Sequence, residues 1–253
     1  MRGKTIAPPN MSTVATAMRT IRRLKCPLSA AFDVLVLISE TELYSTVDMA
    51  LDPIKIDRAL RHLRSADPVM RNLIRKTGPF RLKLRRDRFH ALVSSILAQQ
   101  ISGKAARSIR TRLEQYVAPD KISPDNLRRL SIDDLRSVGI SKQKATYLLD
   151  LADRVATGKL QLGLLARKTD EQIIEALIQV KGIGLWTAQM FLIFSLGRLD
   201  VFPHDDLGVR MAIRNLYRLD DLPDKQISHR IAAPWRPYAS VATWYCWRSL
   251  DGD

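Results

Sequence analysis

Cysteine is nearly absent. Cys26 and Cys246 are the only two in 253 residues, too few and too far apart for a disulfide framework or a four-ligand zinc site. A reducing compartment is the expectation. No apolar run approaches the roughly 20 residues that a membrane-spanning helix needs, so no membrane partner is expected. The four histidines, His62, His90, His204 and His229, show no His-Glu-x-x-His or comparable spacing, and no catalytic metal is implied. Acidic residues are also short, 26 Asp+Glu against 41 Lys+Arg, giving a formal net charge of +15. A surplus of that size fits a polyanionic partner, with DNA, RNA and acidic membranes all open on charge alone. Convincing apolar–polar alternation is missing after the first fifty residues. The expected fold class is therefore all-α.

The chain does carry enough apolar residues, 46%, for a full core. Residues 1–32 contain no acidic side chain and several Arg and Lys, a composition that suits a transit peptide, a basic DNA-contacting arm or an extension that does not fold. Phe32 to Tyr44 is apolar enough for one helix or strand, and Met49 stands where an alternative start would fall. The division expected is a basic, poorly ordered extension over 1–50 and one domain over 51–253. From Ile56 onward the periodicity is helical. Asp67-Pro68, Asp87 and Ser131 with Asp133 and Asp134 read as helix starts, and Gly78-Pro79 and Gly158 as stops. Arg81, Lys83, Arg85, Arg86 and Arg88 form a basic run that suits either a phosphate or a solvated loop.

Val180-Lys181-Gly182-Ile183-Gly184-Leu185-Trp186-Thr187-Ala188 stands out among these helices. Gly182 and Gly184 straddle a tight turn between two apolar runs, where glycine permits positive φ and lets an anion reach bare N–H groups at a helix start. An earlier segment echoes it: Gly139-Ile140 matches Gly182-Ile183, and Ala145 matches Ala188 at the same offset. Ser141, Lys142 and Lys144 follow that first turn, where the lysines add charge to a phosphate contact or are simply solvated. Asp200-Val201-Phe202-Pro203-His204-Asp205-Asp206 follows the second hairpin, and either acid of the pair suits an N-cap. A polar break, Gln99-Gln100-Ile101-Ser102, separates two further apolar helices.

These motifs, with Pro234-Trp235-Arg236-Pro237-Tyr238-Ala239, closely resemble the helix-hairpin-helix DNA glycosylases, in particular the 3-methyladenine DNA glycosylase II type, over roughly residues 57–248. The resemblance implies two helical subdomains flanking an active-site cleft. It also implies a monofunctional enzyme that flips alkylated purines (3-methyladenine, 7-methylguanine, ethenoadenine) from double-stranded DNA and hydrolyses the glycosidic bond, opening base excision repair. The rivals are a non-catalytic hairpin module that binds DNA and a bifunctional glycosylase/lyase for oxidised bases. The second acid of the pair falls on the family's catalytic position, so Asp206 is the expected catalytic carboxylate. There it stabilises the oxocarbenium-like sugar and orients water. Bifunctional relatives carry a Schiff-base lysine two residues after the second hairpin glycine, and Trp186 stands at that place here.

By the same resemblance Trp186, Trp235 and Met190 line the base pocket, the tryptophans attracting a cationic alkylated base. Met190 departs from the aromatic residue often found at its position. Gln99, Gln100, Ile101 and Ser102 face the minor groove, with Gln100 or Ile101 as the wedge that fills the gap left by the extruded base. Gly139, Ser141, Lys142, Gly182, Gly184 and Thr187 complete the expected DNA contacts. Some relatives hold an iron–sulfur cluster on four cysteines near the C-terminus; Cys246 stands alone there, so no such cluster and no other cofactor is expected. A monovalent cation, Na+ or K+, is implied on the backbone carbonyls of Ile178, Val180 and Ile183. The expectation is a monomer, in the cytoplasm and nucleoid of a prokaryote or the nucleus of a eukaryote.

Overall fold

Short polar side chains set where the helices begin. In the computed structural model, which describes residues 51–251, Asp52 accepts the Ile54 N–H at 2.9 Å and opens α1 (Pro53–Ala66). Asp67 ends that helix and opens α2 (Pro68–Thr77), its Oδ1 accepting from the N–H groups of Val69 and Met70. Asp87 caps α3 (Arg88–Ala98), and Ser102 caps α4 (Gly103–Val117). After the short α5 (Pro124–Arg128), Ser131 and Asp134 form a reciprocal capping box on α6 (Ile132–Ser137). Ser141 starts α7 (Lys142–Ala156), and Thr169 with Gln172 starts α8 (Asp170–Ile178). α9 (Leu185–Phe194), α10 (Leu207–Leu216), α11 (Lys225–Ala232) and α12 (Ala239–Arg248) complete the set, with 3-10 turns at Leu162–Arg167 and Ala233–Trp235. Among the described residues there is no strand, and none of the helices is long and apolar enough to cross a membrane. The extension over 1–50, with its Phe32 to Tyr44 run, Cys26 and Met49, lies outside the described residues.

The helices pack in two groups. α3 packs on α4, α7 and α9; α5 and α6 pack on α7, and α8 on α9. The other group joins α1, α2, α10, α11 and α12. α9 and α12 are apolar on nearly every face, with Thr187 to Phe194 and Ala239 to Trp247 all buried, as helices at the centre of a fold must be. Phe194 at the end of α9 stacks on Trp247 of α12, ring centroids 5.5 Å apart, and one continuous apolar core runs through both groups.

The basic run before α3 serves neither purpose expected of it in full. Arg88 donates to the carbonyls of Leu162 and Gly163 at 2.6 and 3.1 Å, tying α3 to the 3-10 turn. Burial, helped by the Arg110 charge, lowers the Arg85 guanidinium to about 10.

Trp235 is a correction. Expected in a base pocket, its side chain is fully buried, with Nε1 donating to Asp67 Oδ2 at 2.9 Å and Phe202 packed on it edge-on. A ring enclosed in this way offers no face to a base. The same Asp67 oxygen accepts the Tyr217 hydroxyl in a short bond. Burial and the Asp67 partnership raise the Tyr217 phenol far above its ordinary range, so it remains a donor. Cys246, on α12, is also wholly enclosed, and burial, then the charges of Asp67 and Asp206, push its thiol well up.

Asp67→Ala removes an N-cap and leaves a phenol and an indole N–H unpaired in the core. The expected loss is about 3 kcal/mol of unfolding free energy, read from urea melts, and a loss below about 1 kcal/mol would contradict this bonding.

Candidate active site

The second hairpin is built around one crowded glycine. Gly182 has φ +81°, and a Cβ there would sit 2.1 Å from Cδ2 of Tyr147 on α7. Any side chain is thus excluded twice, by backbone conformation and by space. Gly184 differs from expectation: its φ is −98°, and a Cβ would meet nothing within 4 Å. No side chain caps α9, and Gly184 is exposed at the start of that helix. Asp150 on α7 accepts the Lys181 N–H at 2.9 Å and Arg154 Nε at 3.0 Å, holding the turn from behind. Around the turn, the Val180 carbonyl accepts the Ile183 N–H at 3.1 Å, while Ile178, the last residue of α8, is exposed. The first hairpin has the same backbone form, Gly139 at φ +94° with Arg112 Nη2 2.7 Å from the place of its missing Cβ. Ser141 and Lys142 beyond it are exposed.

The polar break between α3 and α4 leans on this second hairpin. Gln99 Nε2 donates to the Gly182 carbonyl at 2.8 Å. Gln100 is exposed and holds φ +59°, a left-handed conformation that a non-glycine residue seldom adopts. Ile101 is half-buried and packs with Ala98, Ala106 and Trp186, and Ser102 is exposed at the start of α4. Thr187, grouped with the DNA contacts in the sequence, is buried at 6% exposure and presents little surface to a partner. Met190 is buried against a small cavity between α3 and α9 that Arg85, Ser95 and Phe194 also line.

Asp206 is where the two helix groups meet. It caps α10, with Oδ1 accepting the Val209 N–H at 2.8 Å. Trp247 of α12 donates Nε1 to the same oxygen at 3.0 Å, and Trp186 of α9 donates Nε1 to Oδ2 at 2.7 Å. The carboxylate is 2% exposed. These three neutral donors satisfy a buried negative charge without cancelling it. Oδ2 has one bond and so keeps a second acceptor direction. Gly208 leaves room for the arrangement, since a Cβ there would lie 3.2 Å from Asp206 Oδ1 and 3.3 Å from Trp247 Cδ1, tight enough that a neighbour would have to shift slightly. Sequence reasoning missed Trp247. The hydrogen bond closes over 41 residues, and no local pattern points to it.

Asp205 is exposed and pairs with His204 Nε2 at 3.1 Å. His204 is buried beside His229, and desolvation lowers its pKa although Asp205 opposes the shift. Among the described residues, no His, Cys, Asp and Glu side chains group so as to hold a metal ion.

Residues 93–237 match the HhH-GPD superfamily of base excision DNA repair proteins. The chain belongs to this superfamily. It is 32% identical over 199 residues to DNA-3-methyladenine glycosylase 1 of Schizosaccharomyces pombe, spanning 77% of this chain and 87% of that one. It is 34% identical over 169 residues to the Bacillus subtilis protein YfjP, of which it spans only 59%. In three dimensions it resembles the S. pombe 3-methyladenine DNA glycosylase solved in complex with abasic DNA, with TM-score 0.69 and 31% identity over 76% of this chain and 96% of that one. A Bacillus halodurans DNA-3-methyladenine glycosidase gives TM-score 0.71 at 35% identity, covering 76% of this chain and 89% of the other. The two-group helical architecture is that of the HhH-GPD glycosylases.

Trp247→Phe keeps the ring on Phe194 and deletes one donor to Asp206. The expected cost is about 1–2 kcal/mol in stability by urea unfolding. Trp247→Leu, which also loses the ring, is expected to lose more. Gly182→Ala, forced against Tyr147, is expected to lower stability by about 1–3 kcal/mol and to weaken DNA binding in the same preparation.

Proposed function

We propose that this chain is a monofunctional DNA glycosylase that extrudes alkylated purines, 3-methyladenine, 7-methylguanine and ethenoadenine among them, from duplex DNA and hydrolyses the N-glycosidic bond. The observation that carries the reading is the buried Asp206 carboxylate, anchored through Oδ1 and holding an acceptor direction of Oδ2 in reserve, at the junction of the helix groups. The ties to α9, α10 and α12 would serve a module that only bound DNA equally well, and the spare acceptor direction of Oδ2 is what catalysis would use.

As the glycosidic bond breaks, positive charge develops on the sugar, and a fixed anion beside it lowers the barrier. Trp247 and Val209 hold Oδ1, so Oδ2 is the oxygen that faces the sugar and the attacking water. Alkylation at purine N3 or N7 already makes the base a cationic leaving group, so the site needs no general acid. Trp186, half-buried and bonded to Oδ2, is the ring on which the extruded base stacks in this reading. Because an indole replaces the family's Schiff-base lysine at 186, the product is an intact strand with an abasic site. Gln100, exposed at the tip of its turn, is the wedge, while Ile101 belongs to the packing under it.

Phosphate contacts come from the open start of α9 at Gly184, from the first hairpin near Gly139, Ser141 and Lys142, and from the general surplus of basic side chains. The carbonyls of Ile178, Val180 and Ile183 are hard oxygen donors suited to Na+ or K+, which would add positive charge where a phosphate approaches. The protein works as a monomer on chromosomal DNA, in the nucleoid or nucleus.

The deciding experiment follows free methylated purines released from alkylated duplex DNA. Asp206→Asn is expected to bind with unchanged salt dependence and to release base roughly 10²–10³-fold more slowly. Its amide would also set an N–H against an indole N–H, so unfolding should be checked alongside. Borohydride is expected to trap no covalent protein–DNA adduct. Binding by wild type without release of any base would leave the binding-module reading in its place, and a trapped adduct would establish a lyase.

A further inference from the structure

Lys144 does not behave as a lysine seeking phosphate. It stands on the first turn of α7, two residues after the exposed Lys142, yet its Nζ turns inward and donates to the Leu97 carbonyl at 2.7 Å. Leu97 is in the last turn of α3, where a carbonyl ordinarily waits for the N–H four residues on. That N–H, of Ile101, bonds Ala98 instead at 3.4 Å. The ammonium therefore takes up an oxygen that the helix itself leaves unpaired, at the negative end of the α3 dipole. Burial lowers its pKa to about 8, in keeping with a side chain drawn out of water.

Two residues further along, Gln99 ties the same turn to the Gly182 carbonyl at 2.8 Å. Gln100 thus rises from a turn pinned on one side by the helix that follows the first hairpin and on the other by the second hairpin itself. A left-handed conformation at a glutamine, φ +59°, persists only where its surroundings over-determine it.

We infer that Lys144 is a positioning residue for the Gln100 wedge: by fixing the end of α3 against α7, it makes the first hairpin a brace for unstacking DNA. The inference rests on the glycosylase reading for its substrate, though its DNA-distortion readout does not need base release.

The test compares wild type, Lys144→Met, which keeps the stem and loses the cation, and Lys144→Arg, which restores it. DNA distortion is read from 2-aminopurine fluorescence beside a stable abasic analogue in duplex DNA. Base release is read for 7-methylguanine in a fully paired duplex and opposite an abasic gap, where extrusion costs little. Lys144→Met is expected to bind with the wild-type salt slope, to lose most of the fluorescence rise, and to release base from the paired duplex about tenfold more slowly. Opposite the gap it should stay within about twofold of wild type, and Lys144→Arg should recover part of the loss. Wild-type fluorescence from the Met variant, or an equal loss on both substrates, would overturn the inference. Should Lys144→Met melt below the assay temperature, Lys144→Gln, neutral and one bond too short to reach the Leu97 carbonyl, carries the same comparison. If no protein releases base, the glycosylase reading fails by itself and the fluorescence alone decides the role of Lys144.

Discussion

A buried carboxylate that must be satisfied without being neutralised governs this structure. Asp206 has donors from its own helix, from α9 and from α12, so three helices that meet nowhere in sequence are registered against one side chain. Indole N–H groups suit that task. Each provides a single directed donor on a large apolar body, so the carboxylate is bonded while its surroundings stay dry and its charge stays whole. Asp67 repeats the device at the junction of α1 and α2, with Trp235 and Tyr217 as donors and two backbone N–H groups beside them. One carboxylate joins the two helix groups, and the other ties the start of α2 to the end of α10 and to the turn before α12.

What could be read from the sequence was what is local. Asp67, Asp87, Ser131 and Thr169 each sit within three residues of the N–H they accept, so their caps are legible in short strings. The two hairpins could be matched because a glycine at positive φ is a demand that sequence displays openly. Contacts that close over long intervals were not legible. Trp235 and Trp247 look alike in the string, both in an aromatic C-terminal segment, yet one is sealed on Asp67 and the other reaches Asp206. The role of Trp247 depends on which side of α12 faces α10, and periodicity is silent on that when nearly every residue of the helix is buried, while Trp235 lies in the 3-10 turn before it. The two hairpin glycines were likewise indistinguishable. Only the approach of Tyr147 separates Gly182, which the interior requires, from Gly184, which leaves room outside.

The basic residues make a similar point about charge. A net surplus names the class of partner but not which side chains meet it. Arg88 and Lys144, which composition counts toward DNA, spend their donors on the protein's own carbonyls, in the 3-10 turn and at the end of α3. Such cations set the shape of the surface from within, while Lys142 and other basic side chains remain exposed.

The enclosure of Cys246 has a chemical consequence for a member of a DNA repair superfamily. Methylating agents that modify purine nitrogens also attack thiols, and it is the thiolate that reacts. With no surface in contact with solvent and two carboxylates nearby to oppose a further negative charge, the Cys246 sulfur stays protonated and out of reach. The core beside Asp206 is thereby inert to alkylating electrophiles, and it needs no reductant to remain so.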